Sequence, residues 1–213
     1  MVEKRYEWVD GAKLEEHSRR KHKILREYVF DYLTVRCRLP QQERFRLAIV
    51  DGFAGGGRYQ CGSPGSPLIF IEELKRALEA VNTQRAVQGL GAVEVECLLV
   101  FNDASREVME LLKTHVAPMQ AEANQACPKL HLRVEYLNEF FEVAYPNIKR
   151  LLEASSSISI SAGIVTSSET PFSTSCTPIP RLRSSTPSSL APCWPSFRRT
   201  SRSDFAPNWI ISA

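Results

Sequence analysis

One stretch, residues 47–57, does most to limit what this chain can fold into. Its sequence is Leu-Ala-Ile-Val-Asp-Gly-Phe-Ala-Gly-Gly-Gly. The apolar residues 47–50 predict a buried strand, which ends at the turn-forming pair Asp51 and Gly52. The three glycines at 55–57 let the backbone come close to a ligand, because no Cβ blocks the approach and a positive φ is tolerated. An apolar strand followed by an acid and a glycine cluster is typical of a nucleotide-type cofactor pocket.

Strand and helix patterns alternate along residues 1–153. The predicted elements are a helix over 13–38, a strand over 47–50, a helix over 68–81 beginning near Ser66-Pro67, a strand over 93–101, a helix capped by Ser105, a strand over 130–137 and a helix over 141–152. In the first helix one continuous apolar stripe is expected, formed by Ile24, Tyr28 and Tyr32 with Leu25, Val29 and Leu33. Three strand-to-helix repeats predict an α/β fold, with a parallel sheet and helices on its faces.

The composition changes abruptly near residue 154. Residues 154–213 are dense in Ser, Thr and Pro, and they carry five arginines, no lysine and only Glu169 and Asp204 as acids. Five positive charges less two negative ones give +3, which is the formal charge of the whole chain, so residues 1–153 are neutral overall. A nucleic-acid surface is therefore not indicated in the globular part. We divide the chain into a domain over 1–153 and a tail over 154–213.

Three interpretations of the tail remain. It is a disordered Ser/Pro-rich extension, an Arg-Ser segment for nucleic acid, or the product of a frameshift near residue 153. The frameshift is favoured, because one set of codons for residues 157–164 also encodes Phe-Asn-Leu-Asp-Gln-Cys-Gly-His in a neighbouring frame, an apolar strand ending in an acid. A sheet cut short in this way would leave the strand over 47–50 with an unpaired edge.

No apolar run in the sequence is long enough to span a bilayer, and the N-terminus lacks the apolar core of a secretory signal, so a cytoplasmic setting is expected. The cysteines form no C-x-x-C pair and have no histidines at zinc-ligand spacing, which predicts reduced thiols and no metal site. They are Cys37, Cys61, Cys97, Cys127, Cys176 and Cys193.

Polar residues follow each predicted strand: Asp51, then Asn102-Asp103, then Asn138-Glu139. In parallel sheets ligands bind beyond the carboxyl ends of the strands, so these residues are expected to share one site. Glycines would admit the polar end of a nucleoside ligand, the acid after the second strand would accept ribose hydroxyls, and the third pair would meet the base. These expectations hold for a dinucleotide and for S-adenosylmethionine.

A dinucleotide fits the sequence less well. Its G-x-G-x-x-G motif would need a glycine where Gln60 stands, and its helix should follow the glycines directly, whereas residues 58–65 intervene. Asp103 also lies well beyond the ~20-residue interval expected for the ribose acid of a dinucleotide site. S-adenosylmethionine has no pyrophosphate and is therefore favoured as the cofactor.

The run from Asp51 to Tyr59, followed by Gly62-Ser-Pro-Gly-Ser-Pro67, resembles the signature loop of the three-Cys-motif partner (TcmP) proteins. The upstream helix is similar to the first helix of that family through His17, Lys21, Ile24, Leu25 and Tyr28. The resemblance covers roughly the first 150 residues. It implies a Rossmann-like sheet of the class I methyltransferase type with an S-adenosylmethionine pocket. Matched to the family, the implied cofactor-binding residues are Asp51, Phe53, Ala54, Gly55, Gly56, Gly57, Asp103, Asn138 and Glu139.

The fourth strand that such a fold would need after Leu152 is missing from the sequence, so no catalytic residue is assigned. The first functional hypothesis is a methyltransferase-like TcmP protein, impaired by its altered C-terminal part, with the methyl acceptor left open. The second is a non-catalytic partner of a three-cysteine-motif protein of radical-enzyme type, on the same scaffold. A nucleotide-dependent oxidoreductase is a third possibility, disfavoured by the sequence of the glycine loop.

Overall fold

The computed structural model describes Trp8, residues 11–154 and the backbone of residues 209–212. The predicted elements are all present. The strand predicted at 47–50 and the helices predicted at 68–81 and 141–152 are longer than the apolar pattern indicated, the first helix is shorter, and the other two strands have the predicted length. In chain order they are α1 (Glu16–Arg36), β1 (Arg44–Asp51), α2 (Ser66–Val87), β2 (Glu94–Asn102), α3 (Arg106–Ala126), β3 (Leu130–Leu137), α4 (Phe141–Ala154) and β4 (Trp209–Ser212).

The sheet has the order β3-β2-β1-β4. Strands β1, β2 and β3 are parallel, with Val50 opposite Val100 and Val100 opposite Glu135. The chain is thus a mixed α/β protein with a three-stranded parallel sheet and flanking helices, as the alternating pattern predicted. Consecutive parallel strands lie side by side because each connecting helix returns the chain along the face of the sheet.

The expectation of an unpaired edge on β1 is wrong. Strand β4 runs antiparallel along it, with residues 48–51 opposite 209–212. The edge offers free main-chain donors and acceptors, which any available extended segment of the chain can satisfy. The other predictions for the tail concern residues 155–208 and 213, which lie outside the described residues.

Alternating residues of the central strands serve two separate apolar clusters. On one face Leu47 and Ile49 join the larger core, which α1, α2 and α3 complete. On the other face Ala48 and Val50 meet Ala144 of α4 in the smaller core. Both faces of β1 are therefore buried, which explains the continuous apolar run from which it was predicted.

The prediction that one apolar stripe of α1 is buried is correct for only part of the stripe. Leu25, Val29 and Leu33 are each 1% exposed, whereas Ile24 is 55% and Tyr28 is 44% exposed. The helix packs one face against α2, and residues one position earlier are turned about 100° away from that contact, as the 3.6-residue period requires. Tyr28 stacks instead on the neighbouring Tyr32, with ring centroids 6.0 Å apart.

Within the described residues, none of the helices combines the length and the apolar character needed to cross a membrane.

Candidate functional site

The three parallel strands end at one edge of the sheet, and the side chain of Asn102 holds these ends together. Asn102 is 1% exposed. Its Nδ2 donates to the carbonyl oxygens of Gly52 at 3.1 Å and of Glu139 at 3.0 Å, and its Oδ1 accepts from the Glu139 amide at 3.3 Å. A buried amide with these bonds fixes the loop after β1 against the loop after β3.

Asp103 links the same loops from the next position. Its Oδ2 accepts from the Gly55 amide at 3.2 Å, and its Oδ1 accepts from the Ser105 amide at 3.0 Å. Its carbonyl oxygen accepts from Asn138 Nδ2 at 2.8 Å. The acid after β2 is therefore within hydrogen-bond distance of the glycine loop after β1, as the sequence predicted for a shared site.

Asp51 is a buried carboxylate at the end of β1, 2% exposed. Its Oδ2 accepts from Ser66 Oγ at 2.5 Å and its Oδ1 accepts from the Phe53 amide at 3.2 Å. Burial raises the pKa of Asp51 to about 6, the nearby Asp103 charge adds to the rise, and the bonds from Ser66 and Phe53 oppose it. A carboxylate kept in a place that disfavours its charge is typical of a functional site.

Residues 58–65 fold back on themselves. The Gly65 amide donates to the Gly57 carbonyl at 2.7 Å, and the Tyr59 amide donates to the Ser63 carbonyl at 3.0 Å. Gly65 is also the residue that precedes α2, so the glycine loop adjoins the helix N-terminus in space. The sequence argument that this segment separates the loop from the helix is therefore wrong, and the case against a dinucleotide now rests on Gln60 and on the spacing of Asp103.

The remaining predicted residues lie on the same edge. Phe53 is 52% exposed, with its ring 5.5 Å from that of Phe141, while Ala54 is buried and its amide donates to the Asn102 carbonyl at 2.9 Å. Glu139 Oε2 accepts from Asn147 Nδ2 at 3.3 Å. The nine predicted site residues thus lie at the end of β1 or in the connected loops after β1, β2 and β3. Whether they bind a cofactor stays a prediction.

Three contributors to this edge are not predicted from the sequence: Ser66, His115 and Trp8. Asn102 is predicted at this edge as a strand-end residue, and the structure adds that its side chain is buried and bonded. His115 lies in the middle of α3 and places Nδ1 2.8 Å from the Gly56 carbonyl, which makes Nδ1 the protonated nitrogen. No local pattern in the sequence relates His115 or Trp8 to the glycine loop.

The glycines are required by the backbone and by their neighbours. Gly55 and Gly57 have φ values of +65° and +86°. A Cβ on Gly55 would lie 2.3 Å from Trp8 Cζ2, and a Cβ on Gly52 would lie 2.5 Å from the Phe141 ring. The close approach predicted for a ligand is made here by side chains of the protein itself.

Replacing Gly55 with alanine is expected to lower the free energy of unfolding by about 3 kcal/mol, combining roughly 1–2 kcal/mol for a left-handed alanine with the clash against Trp8. Gly62→Ala is the matched control, because Gly62 has a φ of +78° and nothing within 4 Å of the added Cβ. Urea unfolding of both variants separates the cost of the left-handed backbone from the cost of the clash with Trp8. Equal losses in the two variants would show that the Trp8 contact contributes nothing.

Among the described residues no group of three or more His, Cys, Asp or Glu side chains is placed to hold a metal ion. A groove of about 570 Å³ lies at the opposite edge of the sheet, next to the end of α1, and is lined by Val35, Arg36, Leu39, Gln41 and Gln42. Comparison of the chain with protein-family models, with curated proteins and with solved structures found no match.

Proposed function

We propose that this chain is a TcmP-type, class I methyltransferase-like protein that binds S-adenosylmethionine at the carboxyl edge of its parallel sheet. The methyl acceptor stays open, and a cytoplasmic setting is part of the proposal. The observation that carries it is the 3.2 Å bond from the Gly55 amide to Asp103 Oδ2, which joins the glycine loop after β1 to the acid after β2.

The order of the helices supports a Rossmann-like sheet. Helices α2 and α3 pack on one face, and α4, which follows β3, packs on the other. Changing faces after the third strand directs the chain back across the sheet toward β1, where a doubly wound fold places its next strand. In this chain that edge is paired with β4, which runs antiparallel. The proposed fold therefore lacks its usual fourth parallel strand among the described residues.

The polar groups of the edge fit the parts of the cofactor. The glycine loop and the N-terminus of α2 would face its charged amino-acid end, Asp103 would accept its ribose hydroxyls, and Asn138 with Glu139 would meet the adenine. When bound, S-adenosylmethionine supplies a methyl group on a positively charged sulfur. The contribution of these residues is to bind and orient, which accounts for much of the rate in transfer between two held groups.

The alternative is a non-catalytic scaffold that docks a three-cysteine-motif protein. Two observations favour it: the indole of Trp8 lies on the glycine face, and both oxygens of Asp103 already accept main-chain bonds. A site whose recognition groups are satisfied internally can be structural rather than ligand-binding.

Isothermal titration of the 213-residue chain with S-adenosylmethionine tests the first proposal, with NAD as the matched second ligand. We expect binding of S-adenosylmethionine only. Asp103→Ala should weaken it by roughly tenfold or more, the effect of losing a charged hydrogen bond. Asp31→Ala is the control, because Asp31 is an exposed acid on α1, away from the strand ends.

Thermal melts of all variants show whether they are folded. A folded chain that binds neither ligand at millimolar concentration, both as the wild type and with Trp8 replaced by alanine, would contradict the cofactor proposal and favour the scaffold. Binding of NAD alone would favour the oxidoreductase instead.

A further inference from the structure

The indole of Trp8 covers the glycine loop. A Cβ on Gly55 would lie 2.3 Å from Cζ2 and 2.5 Å from Cε2 of this ring, and a Cβ on Gly56 would lie 3.1 Å from Cε3. The six-membered ring of the indole therefore lies over two successive glycines. A side chain on either glycine would be too close to this ring. The bare backbone surface is already in contact with an aromatic ring.

The segment that carries Trp8 is bonded to the loop. The Gln60 amide donates to the Ala12 carbonyl at 2.9 Å, and within the segment the Gly11 amide donates to the Trp8 carbonyl at 3.3 Å. The Trp8 ring also packs on Tyr59, with centroids 5.0 Å apart. These contacts join the chain just before α1 to the glycine loop and the residues that follow it.

The imidazole of His22, on α1, packs against Tyr59. His22 lies with its centroid 5.6 Å from that of Tyr59. Burial lowers the pKa of His22 to about 4, and the neighbouring Arg26 and Lys21 charges lower it further. The imidazole is therefore neutral near pH 7 and brings no positive charge next to Tyr59.

The position of Trp8 conflicts with the use of the loop for a ligand. Glycines let another group come close to the backbone, but two groups cannot occupy the same space beside it. Gly55 is also the residue whose amide bonds to Asp103, so the covered face adjoins the acid expected to accept the ribose. Trp8 and a nucleoside ligand would thus compete for the same surface.

We propose that Trp8 is an intramolecular cap on the glycine loop, which S-adenosylmethionine must displace in order to bind. This inference rests on the proposed function. The apparent affinity of such a site is the intrinsic affinity multiplied by the fraction of molecules with the cap open. The segment before α1 would then set how readily the site loads, without contributing to the chemistry.

The test is titration of the full chain and of Trp8→Ala with S-adenosylmethionine. Loss of the cap should tighten binding by roughly tenfold, the scale set by burying an aromatic side chain. Tyr28→Ala is the control for removing an exposed aromatic ring, since Tyr28 is 44% exposed on α1. In a second measurement Trp194→Phe and Trp209→Phe leave Trp8 as the only tryptophan of the three in the sequence. Ligand should then shift Trp8 emission to the red and raise its quenching by acrylamide.

Each outcome has one meaning. Tighter binding in Trp8→Ala together with the red shift supports the cap, as does binding that appears only in the variant. Equal affinity of the two proteins for S-adenosylmethionine would contradict the cap proposal and leave the cofactor proposal standing. Weaker binding in Trp8→Ala makes the indole part of the ligand site and also overturns the cap. Absence of binding in both folded proteins overturns the cofactor proposal and the cap with it.

Discussion

Replacing Arg85 with alanine is expected to lower the free energy of unfolding by about 4 kcal/mol, the range for truncating a large buried side chain and leaving the groups bonded to it without their donor. Arg85 lies near the end of α2 and is only 4% exposed. Its guanidinium donates to four carbonyl oxygens, those of Gly91 at 2.7 Å, Leu39 at 2.9 Å, Pro40 at 3.2 Å and Cys37 at 3.4 Å.

The size of this effect follows from what the carbonyls would lose. Three of them belong to residues 37–40, just after α1, where the helix dipole concentrates negative charge. The fourth belongs to Gly91, just before β2. Arg85 therefore joins the end of α1 to the start of the second strand. No carboxylate of the described residues forms an ion pair with it, so its charge is compensated by main-chain dipoles. Removing it takes a donor from all four carbonyls, of which that of Cys37 belongs to a buried residue, while that of Leu39 keeps the Gln42 amide as a second donor.

Two further variants make this prediction specific. Arg85→Lys keeps the charge but cannot donate in the same forked geometry, so an intermediate loss is expected. Arg58→Ala is the matched control, because Arg58 also donates to a carbonyl, that of Gly62 at 3.1 Å, but is exposed. Its loss should stay within about 0.5 kcal/mol. Urea unfolding measures all three variants, and a loss below about 1 kcal/mol in Arg85→Ala would contradict the assigned role.

Arg85 also illustrates what the sequence could not predict. The helices and strands followed from apolar periodicity, and the shared edge of Asp51, Asp103 and Asn138 followed from parallel pairing. Each of these conclusions depends on a local pattern, either the period of one element or the residues that end a strand. A guanidinium that bonds to carbonyls more than 40 residues away leaves no such pattern, because the acceptors are main-chain atoms present at every position.

The same reasoning explains the missed features of the site. Trp8 lies far from the glycine loop in sequence, and its contact depends on how the segment before α1 packs on residues 55–60. The pairing of β4 with β1 joins segments more than 150 residues apart. Residues 58–65 do separate the glycines from α2 in sequence, but not in space. The loop folds back, so that Gly65 at the start of α2 is bonded to Gly57.

Replacing Asp51 with asparagine is expected to make the protein more stable near pH 7, by on the order of 2 kcal/mol. Burial raises the pKa of Asp51 from 3.8 to about 6 in the folded protein. The folded state therefore holds the proton more tightly than the unfolded chain. The stability that Asp51 contributes is complete below about pH 4 and is lost as the pH rises through about 6, where the folded state must carry a buried negative charge.

Asparagine removes this dependence while keeping the shape of the side chain. Its carbonyl oxygen can still accept from the Phe53 amide, and its Nδ2 can donate to Ser66 Oγ, which donates to the carboxylate in the natural protein. The difference in unfolding free energy between Asp51→Asn and the natural protein should grow between pH 4 and pH 6 and level off above it. Asp31→Asn, a change at an exposed acid on α1, is the matched control.

Urea unfolding at pH 4, 5, 6 and 7 measures these differences, and a variant that is less stable than the natural protein at pH 7 would contradict the prediction. The expected gain in stability gives the result its functional meaning. A buried carboxylate that weakens the fold at neutral pH needs another reason to be there, and a ligand that approaches the ends of β1 and β2 is such a reason. Asp51→Asn should therefore lose affinity for S-adenosylmethionine while it gains stability, an opposite response that a purely structural aspartate would not give.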